Sequence, residues 1–183
     1  MEKLTINHKK KTLTIFYEED RMNPREDDCA TIMICFHKKY ILGDKHAFNF
    51  KNYSNWNAMK RDIHKKENGF LLKPLYMYDH SGITIATKPF SCPWDSGQIG
   101  FIMLKRSEAA TLTKSQKERL VNSEIEIYNQ YLSGEVYMFT VTSPDGDEID
   151  SCGGFYGDNF LTNGMIDYIE DIDLRETLKK QLT

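Results

Sequence analysis

The sequence predicts a single α+β domain spanning 1–183, with a mostly antiparallel sheet and two to three helices. Three observations predict it. Segments of period-two apolar alternation are joined by short turn-rich links, as in hairpins. Two long segments instead repeat apolar residues at helical spacing. The chain of 183 residues is 40% hydrophobic, with ten Tyr, ten Phe and two Trp, which is enough to fill one core and excludes a disordered chain.

Taken in order, Leu4 to Asn7 and Thr12 to Glu18 alternate as strands do, with Leu13, Ile15 and Tyr17 on one face, and read as an opening hairpin. The polar run Asp20 to Asp28, with Asn23-Pro24 at its middle, reads as a loop. Thr31 to His37 is apolar and β-branched almost throughout, the pattern of a central strand covered on both faces. Tyr40 to His46 holds a Gly-Asp turn.

Ser54 is placed to cap a helix running to about Lys66, in which Trp56, Met59 and Ile63 recur at helical spacing and which Gly69 ends. Phe70 to Tyr78 and Ile83 to Thr87 read as strands joined through Asp79-His80-Ser81-Gly82. Pro89 to Gly97 has the composition of an ordered loop, with Trp94 as a packing anchor, and Ile99 to Leu104 supplies another strand. The longest helix runs from Lys114 to Leu132, with Thr113 as cap, Gly134 as stop, and Leu120, Ile125, Tyr128 and Leu132 near one face. Glu135 to Thr142 and Glu148 to Ser151 flank the Pro-Asp-Gly turn at Pro144 to Gly146. Gly153 to Asp158 reads as a loop, leading into a helical region over Leu161 to Leu182 that breaks near Asp171 to Asp173.

Charge is unevenly distributed. Residues 1–120, a basic first part, carry 21 Lys/Arg against 14 Asp/Glu, while residues 121–183, an acidic C-terminal part, carry 3 against 13. An acidic region of that strength suits a basic partner such as a nucleic-acid channel. No apolar run approaches the roughly 18 to 20 residues of a membrane span, so no membrane partner and a cytosolic location are expected. Cys29, Cys35, Cys92 and Cys152 form no CxxC pair, which argues for reduced thiols rather than a zinc or disulfide framework, and no cofactor is expected.

Candidate chemistry falls in several places. His37, Asp44, His46, Asp79 and His80, joined by Asp95, sit at strand ends and turns, where imidazoles and carboxylates can hold a divalent metal or share acid and base roles in phosphodiester cleavage. Their spacing matches no metal motif, and the simpler reading is that His37 ends a strand, Asp44 and Asp79 form turns and His80 bonds locally. Cys92 becomes a nucleophile only with His80 as its base. Basic residues at Lys9 to Lys11, Lys38-Lys39 and Lys60, Arg61, Lys65 and Lys66, interleaved with Tyr40, Phe48, Phe50 and Tyr53, match either a single-strand nucleic-acid surface or a solvated face. Asp145, Asp147, Glu148 and Asp150 crowd one hairpin, and Asp158, Asp167, Glu170, Asp171 and Asp173 follow closely. No EF-hand loop fits them, and a partner-binding, nucleic-acid-mimicking surface or a solvated acidic face does.

The stretches Asn23 to His46 and Pro74 to Ile102, with PFSCPWDSGQIGF inside the second, and then EIEIYNQYLSGEVYMFTV and DSCGGFYG, resemble a family of small proteins encoded by phages and mobile elements of Firmicutes. Within that group the chain is similar to anti-CRISPR proteins that inhibit type II-A Cas9. It departs from the family at Glu26-Asp27-Asp28-Cys29, where the pattern has Trp-Asp-Asn. The resemblance implies a non-enzymatic inhibitor acting in the cytoplasm of a bacterial host, with Cas9 or its guide-RNA complex as partner and DNA binding or cleavage as the blocked step. A metal-dependent nuclease acting through the His/Asp cluster is the alternative, and the aromatic content leaves room for a homodimer.

Overall fold

A computed structural model describes residues 1–67 and 70–183. The α+β class holds: every strand pair is antiparallel, and the strands divide into two four-stranded sheets. The chain forms two compact units, unit 1 from 1–22 and 134–183, and unit 2 from 23–133.

Unit 1 holds β1 (Glu2–His8), β2 (Lys11–Tyr17), β7 (Val136–Thr142) and β8 (Glu148–Tyr156), hydrogen-bonded in the order β1-β2-β7-β8. Period-two alternation sends Leu13 and Ile15 of β2 and Tyr137, Phe139 and Val141 of β7 into one core. Leu174 and Leu178 of α5 (Ile172–Leu182), with Met165 of the one-turn α4 (Met165–Tyr168), cover that face. Asp171 caps α5 by accepting a bond from the Leu174 amide at 3.0 Å, which is the helix break expected near that residue. Gly153 to Tyr156 belong to β8 and not to a loop; the ladder Tyr137↔Phe155 and Val136↔Tyr156 extends the strand past its glycines, and a register shift absorbs them. The opening hairpin turns through Lys9 and Lys10, both at positive φ (45° and 69°), where a two-residue turn ordinarily takes Asn-Gly.

Unit 2 holds β3 (Thr31–Cys35), β4 (Leu71–Asp79), β5 (Ile83–Ala86) and β6 (Ser96–Leu104) in the order β3-β6-β4-β5. Both faces are covered. Ile34, Phe101 and Met103 pack with Met59 and Ile63 of α1 (Trp56–Lys66), while Met33, Cys35, Ile102 and Leu104 pack with Val121, Ile125 and Tyr128 of α3 (Lys114–Ser133). Burial on two sides explains the unbroken apolar runs of β3 and β6. β3 is nevertheless an edge strand and β6 a central one. Gly100 of β6 fits only because it lacks a side chain: a Cβ there would lie 1.9 Å from the Ile34 carbonyl oxygen on β3.

The α1 cap is Asn55 rather than Ser54, its side chain accepting from the Ala58 amide at 2.9 Å. The expected stop at Gly69 lies outside the described residues. Thr113 and Gln116 form a reciprocal capping box at the start of α3 (2.8 and 3.3 Å), and Gly134 follows its end at φ +81°. A short helix, α2 (Arg106–Ala109), has no counterpart in the sequence reading.

Candidate functional site

The most constrained polar group in unit 2 was not a sequence candidate. Arg25 follows Pro24 in a 3-10 turn, and its side chain is 2% exposed. Its fork grips Asp44 with Nε at 2.9 Å and Nη2 at 2.6 Å, and its Nη1 reaches Glu124 of α3 at 2.7 Å. Nη2 also donates to the Thr31 carbonyl at 2.8 Å. The carboxylates are used further: Asp44 Oδ2 accepts from the Met33 amide at 2.7 Å, and Glu124 accepts from the Ala30 amide at 2.8 Å and from the Thr31 hydroxyl. Burial lowers the guanidinium pKa, but the hydrogen bonds and charges of Asp44 and Glu124 outweigh it, and the net direction is up.

This network seals the edge of β3. The Asp44 amide donates to the Met33 carbonyl at 2.8 Å while its carboxylate takes the Met33 amide, so the loop substitutes for a fifth strand. Asn129 of α3 treats the opposite edge the same way, accepting from the Ile85 amide at 2.7 Å and donating to the Ile85 carbonyl at 2.9 Å. Cys35 lies beneath, its thiol pushed up to about 12 by burial, then by Asp44.

The proposed His/Asp cluster is therefore split. Asp44 is bound to Arg25, and His46 bonds the Cys35 carbonyl through Nε2 at 3.0 Å. Elsewhere, His37 Nδ1 accepts from the Tyr40 amide at 3.2 Å and stacks on the Tyr40 ring, whose hydroxyl donates to Asp79 at 3.0 Å. His80 Nδ1 stands 3.5 Å from Asp95, which also takes the Cys92 thiol at 3.6 Å. His37, Asp79 and Asp95 line one cleft of about 390 Å³. Among the described residues no three His, Cys, Asp or Glu side chains are placed to hold a metal ion. Trp94, expected to anchor the Pro89 to Gly97 loop by packing, is instead 92% exposed at this cleft, because Cys92 and Asp95 close the loop through polar bonds that leave the ring outside.

A second hollow of about 810 Å³ lies where β3 ends, bounded by the 36–51 segment and the start of α1. Its walls are aromatic: Phe36, His46, Phe48, Phe50 and Trp56 form a chain of ring contacts, from 4.6 Å between Phe50 and Trp56 to 6.2 Å between His46 and Phe48. Lys38, one of the basic groups named in the sequence, stands exposed at this hollow, and so does Lys51, which the sequence reading did not name. Lys39 pairs with Asp79 at 3.8 Å, and Lys66 with Asp62 at 2.8 Å.

The carboxylates singled out near the C-terminus all fall in unit 1, and their states differ. Asp173 meets Lys9 at 2.6 Å and Asp171 meets Lys11 at 2.7 Å, so the opening turn is clamped to the start of α5. Both carboxyl pKa values are lowered, chiefly by those lysine hydrogen bonds. Asp150 accepts from the Glu170 amide at 3.2 Å, and Glu148 from the Ser151 hydroxyl at 2.8 Å. Asp145, Asp147, Asp158, Asp167 and Glu170 are exposed and make no salt bridge among the described residues. By unit, the formal charge is −7 for unit 1, from 15 acidic and 8 basic residues, and +4 for unit 2, from 12 and 16. The N-terminal lysines thus join the acidic unit, which a linear division of the sequence does not reveal. Among the described residues no helix is long and apolar enough to cross a membrane. No family model, curated protein or solved structure matches the chain.

Proposed function

We propose that this protein is a non-enzymatic inhibitor that binds guide-RNA-loaded Cas9 and blocks its DNA binding, the carboxylates of unit 1 standing where DNA phosphates would bind. The observation that carries the reading is the β7–β8 tip, where Asp145 and Asp147 project into solvent with no salt bridge among the described residues, on a unit of formal charge −7. Cas9 reads its short recognition element with arginines and holds nucleic acid in basic channels, so exposed carboxylates compete for the same cations. The resemblance of PFSCPWDSGQIGF and its neighbouring segments to the phage-encoded family supports the same reading.

A second reading, a metal-dependent nuclease, keeps only His37, Asp79 and Asp95, which line one cleft with His80 beside Asp95, and among the described residues these are not placed to hold a metal ion together. It draws nothing from Asp44 and His46, which are committed elsewhere.

A single assay separates the two. Labelled target DNA is mixed with guide-loaded Cas9 and increasing amounts of the protein, with and without EDTA, and the guide RNA is then run on a denaturing gel. Inhibition by binding releases the DNA, ignores EDTA and leaves the RNA intact. DNA that stays bound at saturating protein contradicts inhibition by binding; shortened RNA and loss of effect in EDTA establish the nuclease.

A further inference from the structure

We propose that the aromatic hollow of unit 2 binds a single-stranded nucleic acid, its bases lying against Phe50 and Trp56 and its phosphates against Lys38 and Lys51. This is independent of the role proposed for unit 1. The hollow, at about 810 Å³, falls within the range of pockets that enclose a nucleotide-sized ligand.

Four features select this occupant. Rings make up much of the wall, beside the aliphatic Ile41, Leu42 and Ala47, and Phe50 keeps 38% of its surface in water, so part of that ring remains open to a base. Trp56 is held in place before any ligand arrives: its edge meets Phe101, itself 2% exposed, at 5.7 Å and 74°, and the Asn55 cap fixes the first turn of its helix. The rim is cationic, since Lys38 and Lys51 are exposed and make no salt bridge among the described residues, within a unit of formal charge +4. The one carboxylate in the lining, Asp44, has both oxygens on the Arg25 fork and so presents little free charge to repel a phosphate. A lipid tail would leave the lysines unused. A duplex would keep its base faces stacked away from the rings, so the strand must be single.

The test uses the full chain carrying Trp94→Phe, which leaves Trp56 as the only tryptophan of the two in the sequence. Trp56 emission is followed while a mixed-sequence single-stranded RNA octanucleotide, its DNA equivalent, AMP, or the duplex form of the RNA is added. The single strands should quench saturably, with an affinity falling as salt rises at a logarithmic slope of about −1.4, the value for two phosphate contacts on a single strand. Phe50→Ala should weaken binding about tenfold or more. Lys38→Glu with Lys51→Glu should abolish it while the far-ultraviolet circular dichroism stays unchanged, and Asp145→Lys with Asp147→Lys should leave it intact. AMP binding as tightly as the octanucleotide would assign the hollow to a free nucleotide and overturn the strand. So would preference for the duplex, quenching indifferent to the two lysines, or no quenching up to millimolar strand.

Discussion

Units 1 and 2 are built on the same plan, a four-stranded antiparallel sheet packed with helices, yet among the described residues the buried ion-pair network belongs to unit 2, which carries surface pairs as well. Unit 2 takes Arg25, Asp44 and Glu124 inside, spends nearly every donor and acceptor among them, and uses them to close a sheet edge. Unit 1 keeps its ion pairs, Lys9–Asp173 and Lys11–Asp171, at the surface and leaves a row of further carboxylates in water. The difference is one of availability. Buried charge specifies a shape and is unavailable to a partner, whereas surface charge contributes little to stability and much to long-range attraction.

The largest effect expected of any single substitution follows from that contrast. Arg25→Ala strands two partly buried carboxylates and frees the edge of β3, and should destabilise the protein by about 3 to 5 kcal/mol, measured by urea unfolding. Arg25→Lys should recover only part of this, because an ammonium cannot grip Asp44 with two parallel bonds. A loss below about 1 kcal/mol for Arg25→Ala, the range of a surface pair, would remove the distinction between the units.

Next in size is Asn129→Ala. It leaves the Ile85 amide and carbonyl at the β5 edge without their partners and should cost about 1 to 3 kcal/mol. Amide hydrogen exchange at Ile85 should accelerate while exchange in β2 and β7 is unchanged. Unaltered protection at Ile85 would mean that Asn129 does not seal the edge.

The smallest effect belongs to the Lys11–Asp171 pair. A carboxyl whose folded pKa is lowered contributes stability that is present above its unfolded value and is lost as pH falls through the folded one. The contribution is therefore constant near neutrality and disappears only in the acid range, below the ordinary aspartate value. Lys11→Met should raise the Asp171 titration, followed by carboxyl carbon shifts, toward that ordinary value and cost about 1 kcal/mol or less at low salt. The Leu174 amide still donates to Asp171, so part of the lowering should remain. A titration unmoved by Lys11→Met would show that the clamp does not form.

Local patterns revealed most of the elements and little of how they assemble. The Thr113 cap, the alternation in β2 and the Pro144 to Gly146 turn are each written within a few residues, and each appears. β3 looked central because its residues are apolar on both faces, but two-sided burial by helices does not distinguish a sheet centre from an edge sealed by Asp44. The glycines of β8 read as a loop because a lone strand with Gly-Gly has poor propensity; pairing with β7 overrides it. Arg25 and Glu124 lie 99 residues apart, and nothing in either neighbourhood announces the other. The only local sign was an arginine after Asn-Pro, a position set by the turn. The charge asymmetry was legible as composition, but its division between units was not, since Lys9 and Lys11 reach Asp173 and Asp171 only after the chain ends come together.

The central claim is that exposed carboxylates of unit 1 engage a cationic groove, and it is tested most directly by capture of guide-loaded Cas9 on the immobilised protein at low and at high ionic strength. Capture should be strong at low salt, fall at high salt, and be lost at both in the Asp145→Lys, Asp147→Lys variant, whose thermal stability should be unchanged. Capture that is indifferent to salt and to both charge reversals, or no capture of Cas9 at either ionic strength, would contradict it.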